Sequence, residues 1–217
     1  MKENLTELVF ILDKSGSMSP LVDDTIGGFN SLLKKQKNET GQCIVTTVLF
    51  NQGVQILHNR VPIEDVKNMT EKEYQPMGST SLLDAMGSTI DKIKNDHVNT
   101  LKEKRPDKVL FAIITDGAEN SSTEYNIKQI KNSVSACQEL LGWEFLFLGA
   151  NIDAIETASQ FGIPKSMAAN YNCDSEGTEL NFDAINDVLC CVRRDKHISE
   201  DWKSKIEKDF KNRRKNK

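Results

Sequence analysis

Two apolar runs constrain this chain more than any other feature: Leu8 to Leu12 (LVFIL) and Lys108 to Thr115 (KVLFAIIT). Neither alternates polar with apolar residues, so each reads as a strand buried on both faces. Strands of that kind belong to parallel sheets covered by helices. Each run also ends in an aspartate: Asp13-Lys-Ser15-Gly-Ser17 after the first, Asp116-Gly117 after the second. Whatever sits at the carboxyl ends of these strands is therefore polar and acidic.

The rest of the chain supplies the covering layers. After Pro20, Val22, Ile26, Phe29 and Leu33 fall on one face of an amphipathic helix. Gly27-Gly28 within it is costly for a helix and implies close approach to the sheet beneath. Gln42 to Phe50 and Val54 to Val61 read as strands joined by Asn51-Gln52-Gly53, a connection too short for a crossover, so this pair is antiparallel. Asp65 to Pro76 is polar and reads as irregular or as a short helical turn. A small-residue loop from Gly78 leads into a helix carrying Leu82, Leu83, Met86, Ile90 and Ile93. Tyr125 to Leu141 reads as a helix capped by Gly142, Trp143 to Leu148 as a buried strand, and Ala168 to Asn172 as a short edge strand. A short helix ending at Phe161 comes between them, and Glu179 to Val192 forms the last helix of the body. The alternation gives an α/β architecture: a Rossmann-like, doubly wound, mainly parallel six-stranded sheet with one antiparallel edge strand and helices on both faces. Ligands of such sheets gather at the carboxyl ends of the strands, where the strand order reverses.

Composition narrows the class. At 217 residues, 38% apolar and 28% charged, the chain suits one globular domain, expected over residues 1–192. No segment approaches the apolar length of a membrane span, and the amino terminus lacks the apolar core of a signal peptide, so a cytoplasmic location is expected. Five cysteines show no paired or metal-ligand spacing, and three histidines stand isolated, which disfavours His-centred catalysis. Arg193 to Lys217 carries 11 basic and 5 acidic residues, a local charge of +6 that leaves −10 on the remainder of a chain whose total is −4. Within this tail, residues 193–217, Ile198, Trp202, Ile206 and Phe210 recur every four residues after a helix start at Ser199-Glu200-Asp201. That basic amphipathic helix either docks on the body or meets an anionic surface or nucleic acid, the one route to nucleic acid the sequence offers.

Three hydroxyl- or carboxylate-bearing clusters fall at strand ends or adjoining loops: Asp13/Ser15/Ser17, Ser79/Thr80/Ser81 and Asp116. Taken singly, each is equally a helix cap or a turn. Together they place two carboxylates and several hydroxyls at one sheet edge. Oxygen donors without Cys or His suit a hard divalent cation such as Mg²⁺.

These residues resemble the metal-ion-dependent adhesion site (MIDAS) of von Willebrand factor A (vWA) domains, in the stand-alone form carried by bacteria and their phages. The pattern Asp-x-Ser-x-Ser, then Thr, then Asp is matched by Asp13, Ser15, Ser17, Thr80 and Asp116 over roughly Glu7 to Val192. Ser79 stands where many members carry a second Gly, and the tail has no counterpart. The resemblance implies that these five residues hold Mg²⁺ or Mn²⁺, with Ca²⁺ a further candidate, the hydroxyls binding directly and the aspartates directly or through water. It implies a partner protein whose Asp or Glu side chain completes the coordination, and a binding module without catalytic turnover. Met77, Glu119 and Asn120 are expected on the rim, tuning partner choice. A Mg²⁺-dependent phosphatase or phosphotransferase of haloacid-dehalogenase type would instead need a second carboxylate two residues after Asp13, where Ser15 stands. No phosphate-binding glycine motif occurs.

Overall fold

The computed structural model describes residues 4–214. Six strands form one sheet: β1 (Leu5–Asp13), β2 (Gln42–Phe50), β3 (Val54–Pro62), β4 (Lys108–Thr115), β5 (Glu144–Gly149) and β6 (Ala168–Asn170). Their spatial order is β3-β2-β1-β4-β5-β6. Every neighbouring pair is parallel except the β2–β3 hairpin, as the three-residue turn requires. The two apolar runs are therefore the paired central strands β1 and β4, in register from Thr6/Lys108 to Leu12/Ile114. From this pair the chain winds outward in both directions, which makes the carboxyl ends of β1 and β4 the switch point of the sheet.

The helices are α1 (Val22–Lys37), α2 (Leu82–Val98), α3 (Ile127–Leu141), α4 (Ala154–Gln160), α5 (Ser175–Arg193) and α6 (Ser204–Arg214). Side chains of a strand alternate between faces, and β1 divides the core accordingly. Leu8, Phe10 and Leu12 pack with Phe29 and Leu32 of α1 and with Ile185 and Leu189 of α5. Val9 and Ile11 pack with Met86 and Ile90 of α2 and with Ile130 and Val134 of α3. No described helix is long and apolar enough to cross a membrane.

Capping moves two helix starts away from where apolar periodicity puts them. Asn126 accepts from Gln129 N (3.1 Å) while the Gln129 side chain accepts from Asn126 N (2.9 Å), so α3 begins at Ile127 rather than Tyr125. Asp174 accepts from Gly177 N at 2.9 Å and starts α5 at Ser175, four residues before its apolar pattern at Glu179. The edge strand β6 also stops at Asn170, short of the expected Asn172.

Gly28 corrects another expectation. It approaches not the sheet but α5: a Cβ on Gly28 would lie 2.2 Å from the Phe182 ring. Gly27 faces open space. Gly28 alone of the pair thus lets two helices on the same face pack closely.

The tail folds back onto the body. Ile198 and Ile206 join the core beneath α5, Trp202 packs against it, and the Trp202 indole donates to the Ser166 carbonyl at 2.8 Å. Arg213 pairs with Asp174 at 2.5 Å and with Asp209. The last residues of the expected tail, 215–217, lie outside the described residues.

Candidate metal centre

The five residues singled out by sequence gather at the carboxyl ends of β1 and β4. Asp13 is the last residue of β1 and is 1% exposed. Its Oδ1 accepts from Ser15 N at 2.7 Å, which curls the chain back over the strand end, and its Oδ2 accepts from Thr115 Oγ1 at 2.6 Å. The parallel pairing of β1 with β4 brings Thr115 to that oxygen. The curl places Ser15 Oγ 3.2 Å from Ser17 Oγ, and Ser17 Oγ donates to Asp116 Oδ1 at 2.7 Å. Asp116 is 2% exposed, whereas Ser17 faces solvent at the mouth of the cluster.

Thr80 arrives on the separate loop before α2. Gly16 N donates to Gly78 O (3.0 Å) and Met77 N to Lys14 O (3.0 Å), lashing this loop to the Asp13–Ser17 turn. Gly78 sits at φ +72°, in the left-handed region, and a Cβ there would collide with Gln52. Thr80 itself is clamped on both sides: its N–H donates to Asn120 Oδ1 (2.9 Å) and its carbonyl accepts from Asn120 N (3.1 Å). A Cβ on Gly117 would lie 3.8 Å from Thr80 Oγ1 and 3.9 Å from Ser17 Oγ. Gly117 thus leaves free the space that both hydroxyls border.

Glu119, half-buried, and Asn120, exposed, stand beside the cluster and also fasten its loops. Glu119 accepts from the N–H groups of Leu83, Ser121 and Ser122 and from the Ser122 hydroxyl, at 2.7–2.9 Å. It caps α2 with a negative charge where the helix dipole is positive. Ser81 turns away and pairs with Ser121 at 2.8 Å. Met77 remains a rim residue, 55% exposed.

Several supporting residues were not singled out in the sequence. Tyr74 donates to the Asp13 carbonyl at 2.5 Å and Tyr171 to the Thr115 carbonyl at 3.3 Å, pinning the ends of both central strands from beneath. Burial pushes both phenols well above their ordinary value, so they remain neutral donors. Tyr74 is the single aromatic in the polar stretch Asp65–Pro76, a signal that was available. Asn151 donates to the Asp116 carbonyl at 3.1 Å, and the Cys173 thiol lies 3.8 Å from Asp116 Oδ2. Burial and the Asp116 carboxylate push that thiol up to about 11.

The donor set fits a hard divalent cation. Burial pushes the Asp13 carboxyl above its ordinary value; hydrogen bonds from Thr115 and Ser15 pull it back, and Asp116 adds to the rise. Among the described residues, no basic side chain pairs with either carboxylate. Two buried, uncompensated carboxylates are costly unless a cation completes them. No described group of three or more His, Cys, Asp or Glu could hold a metal. Any oxygen donors beyond the two carboxylates would have to come from the neighbouring hydroxyls of Ser15, Ser17 and Thr80, a set that suits oxygen-seeking ions.

No protein-family model matches the chain, and no curated protein does. Solved structures do share its fold. Proximal thread matrix protein 1 from the mussel byssus matches at a TM-score of 0.63 with 14% identity, covering 87% of this chain and 49% of its own. The manganese-loaded TRAP protein of Plasmodium vivax matches at 0.55 with 15% identity, over 83% of this chain and 72% of its own. The von Willebrand factor type A protein from Catenulispora acidiphila matches at 0.58 with 13% identity, over 85% and 42%. Another structure of the mussel protein has zinc in its MIDAS motif (0.58, 13%, 87% and 46%). The chain thus spans about half the length of the mussel protein. At these identities the likeness is one of architecture, and the six-stranded sheet with its antiparallel edge is the von Willebrand factor A fold.

Proposed function

We propose that this chain is a metal-ion-dependent protein-binding module. Asp13, Ser15, Ser17, Thr80 and Asp116 hold a divalent cation, and the site captures an Asp or Glu side chain of a partner protein. The observation that carries this reading is the pair of buried carboxylates, 1% and 2% exposed, lying without basic partners among the described residues, beside three hydroxyls at the switch point of the sheet. The cation, when bound, supplies a Lewis-acidic centre that attracts an anionic oxygen.

The chain's own residues do the positioning. Two aspartates balance a dication and the hydroxyls add no charge, so an incoming carboxylate still gains by approaching. Thr115 and Ser15 N fix the Asp13 carboxylate, Asn120 fixes Thr80, and Ser17 stands at the solvent side where a partner would enter. An all-oxygen set of few protein ligands suits Mg²⁺ or Mn²⁺ better than Ca²⁺, which takes six to eight oxygens. The manganese and zinc of the structurally similar proteins support a divalent ion.

We read the site as a binder rather than an enzyme. His58, His97 and His197 lie on β3, at the end of α2 and beyond α5, away from the cluster. Five free thiols fit a reducing compartment, and we place the protein in a cytoplasm.

Calorimetric titration with Mg²⁺ and Mn²⁺ tests the metal step: the wild type binds one ion and Asp13→Ala binds none. Identical isotherms would sink the assignment. Display peptides with a fixed Asp or Glu test capture: they should bind in Mg²⁺, lose binding in EDTA, and fail when the fixed residue is Asn or Gln. Turnover of generic phosphoesters would favour the phosphatase class instead.

A further inference from the structure

The two edges of the sheet are finished differently. At one, β6 is three residues long and the tail lies along it, with α6 in contact and the Lys203 ammonium donating to the Ala168 carbonyl at 2.8 Å. At the other, β3 runs for nine residues, and no described backbone pairs with its outer side.

An open edge of this length is a template for another strand, and folded proteins usually blunt it with charges or proline. The first half of β3 lacks that protection. From Gln42 through Asn59, a span that takes in all of β2, the hairpin turn and most of β3, the sequence has no Asp, Glu, Lys or Arg, in a chain that is 28% charged. Val54 and Ile56 are 41% and 46% exposed. They stand opposite Phe50 and Val48, so they lie on the α2 side of the sheet as an apolar strip along the bare edge. The second half of β3 is closed off. Its register shifts opposite Thr47, Arg60 sits at φ +51° with its side chain turned to Glu7 at 3.1 Å, and Pro62 ends the strand. The open stretch is therefore Val54 to His58.

We propose that a second copy of this chain docks on this edge, β3 antiparallel to β3, joining the two sheets about a two-fold axis. Charge selects that occupant. With −10 on the body, two copies repel across most of their faces, but the Val54–His58 edge brings no charge against itself. An uncharged strip gives an acidic or basic partner nothing to pair with. Identical strands satisfy one another's free N–H and C=O groups and set Val54 and Ile56 beside their copies. Because α6 and Lys203 occupy the β6 edge, the assembly closes at two copies instead of growing into a fibre. The two-fold reverses strand direction, so the carboxyl ends of β1 and β4 point to opposite ends of the dimer. On the metal-site reading given above, such a dimer bridges two partner proteins; dimerisation itself does not rest on that reading.

Sedimentation velocity of the full-length protein in EDTA, across micromolar concentrations, tests the dimer apart from the metal. The wild type should form dimers, more of them as concentration rises, and amide hydrogen exchange over Val54 to Leu57 should slow in step. Ile56→Lys and Val54→Lys each put a charge on the edge against its own copy, and each should raise the dissociation constant by about tenfold or more. Both side chains are exposed, so far-UV circular dichroism should not change. Leu140→Lys, on the outer face of α3, should leave the dimer intact. The proposal is overturned if the wild type stays monomeric throughout or forms species larger than a dimer. It is equally overturned if the folded β3 variants dimerise unchanged, or if Leu140→Lys abolishes the dimer. Should Ile56→Lys not fold, Val54→Lys decides.

Discussion

At the scale of single residues, the candidate metal centre is held in tension by its own charges. Asp13 and Asp116 are buried beside one another, and the hydrogen bonds they accept do not remove their mutual repulsion. Asp116→Asn keeps an oxygen able to accept from Ser17 while deleting one charge. In EDTA, this variant should be more stable than the wild type by on the order of 1 kcal/mol, and Mg²⁺ should no longer raise its melting temperature. Thermal unfolding with and without Mg²⁺ checks both. An Asn variant that melts lower in EDTA yet still gains from Mg²⁺ contradicts the assignment. Spacing puts Asp13, Ser15 and Ser17 on one turn and an apolar run puts Asp116 at a strand end, while Thr80 was singled out from Ser79 and Ser81 only by the resemblance to the MIDAS pattern. Their supports were not legible. Tyr74, Asn120 and Tyr171 act across the fold, over sequence separations that no local pattern reports.

At the scale of elements, α1 shows how a local cost follows from a distant neighbour. Gly27 and Gly28 are equivalent in helix propensity, yet one faces open space and the other the Phe182 ring of α5. Gly27→Ala should stabilise the protein by up to about 1 kcal/mol. Gly28→Ala should destabilise it by about 1–3 kcal/mol, because the added methyl must displace a packed ring. Denaturation midpoints separate the two, and equal effects would contradict the α1–α5 packing. Strand and helix identities could be read from apolar period because each element buries a continuous stripe. Their starts could not be read that way. The side chains of Asn126 and Asp174 chose them by satisfying free backbone N–H groups.

At the scale of the molecule, the basic tail and the acidic body form one packed unit over the described residues. Ile206 is 1% exposed and sits in the core cluster with α5, while Lys205, Lys208 and Lys211 stay on the outer face of α6. Ile206→Ala should therefore cost about 2–5 kcal/mol, as truncation of a buried aliphatic side chain does. Urea unfolding measures it, and a loss below about 0.5 kcal/mol, the level of an exposed site, would mean that α6 does not dock. The amphipathic stripe alone predicted a helix here but not its neighbour, since apolar side chains at four-residue spacing suit any apolar surface. The same division runs through the whole protein. Period, turn chemistry and strand-end polar residues are local, so the amino-acid order settled the class of fold and the antiparallel hairpin, and named the five oxygen-bearing residues of the candidate site. Helix partners, the clamps on Thr80, and the meeting of the tail with the body depend on long-range packing. Only the folded chain decided those, because each joins segments whose proximity is a property of the closed sheet and its covering helices.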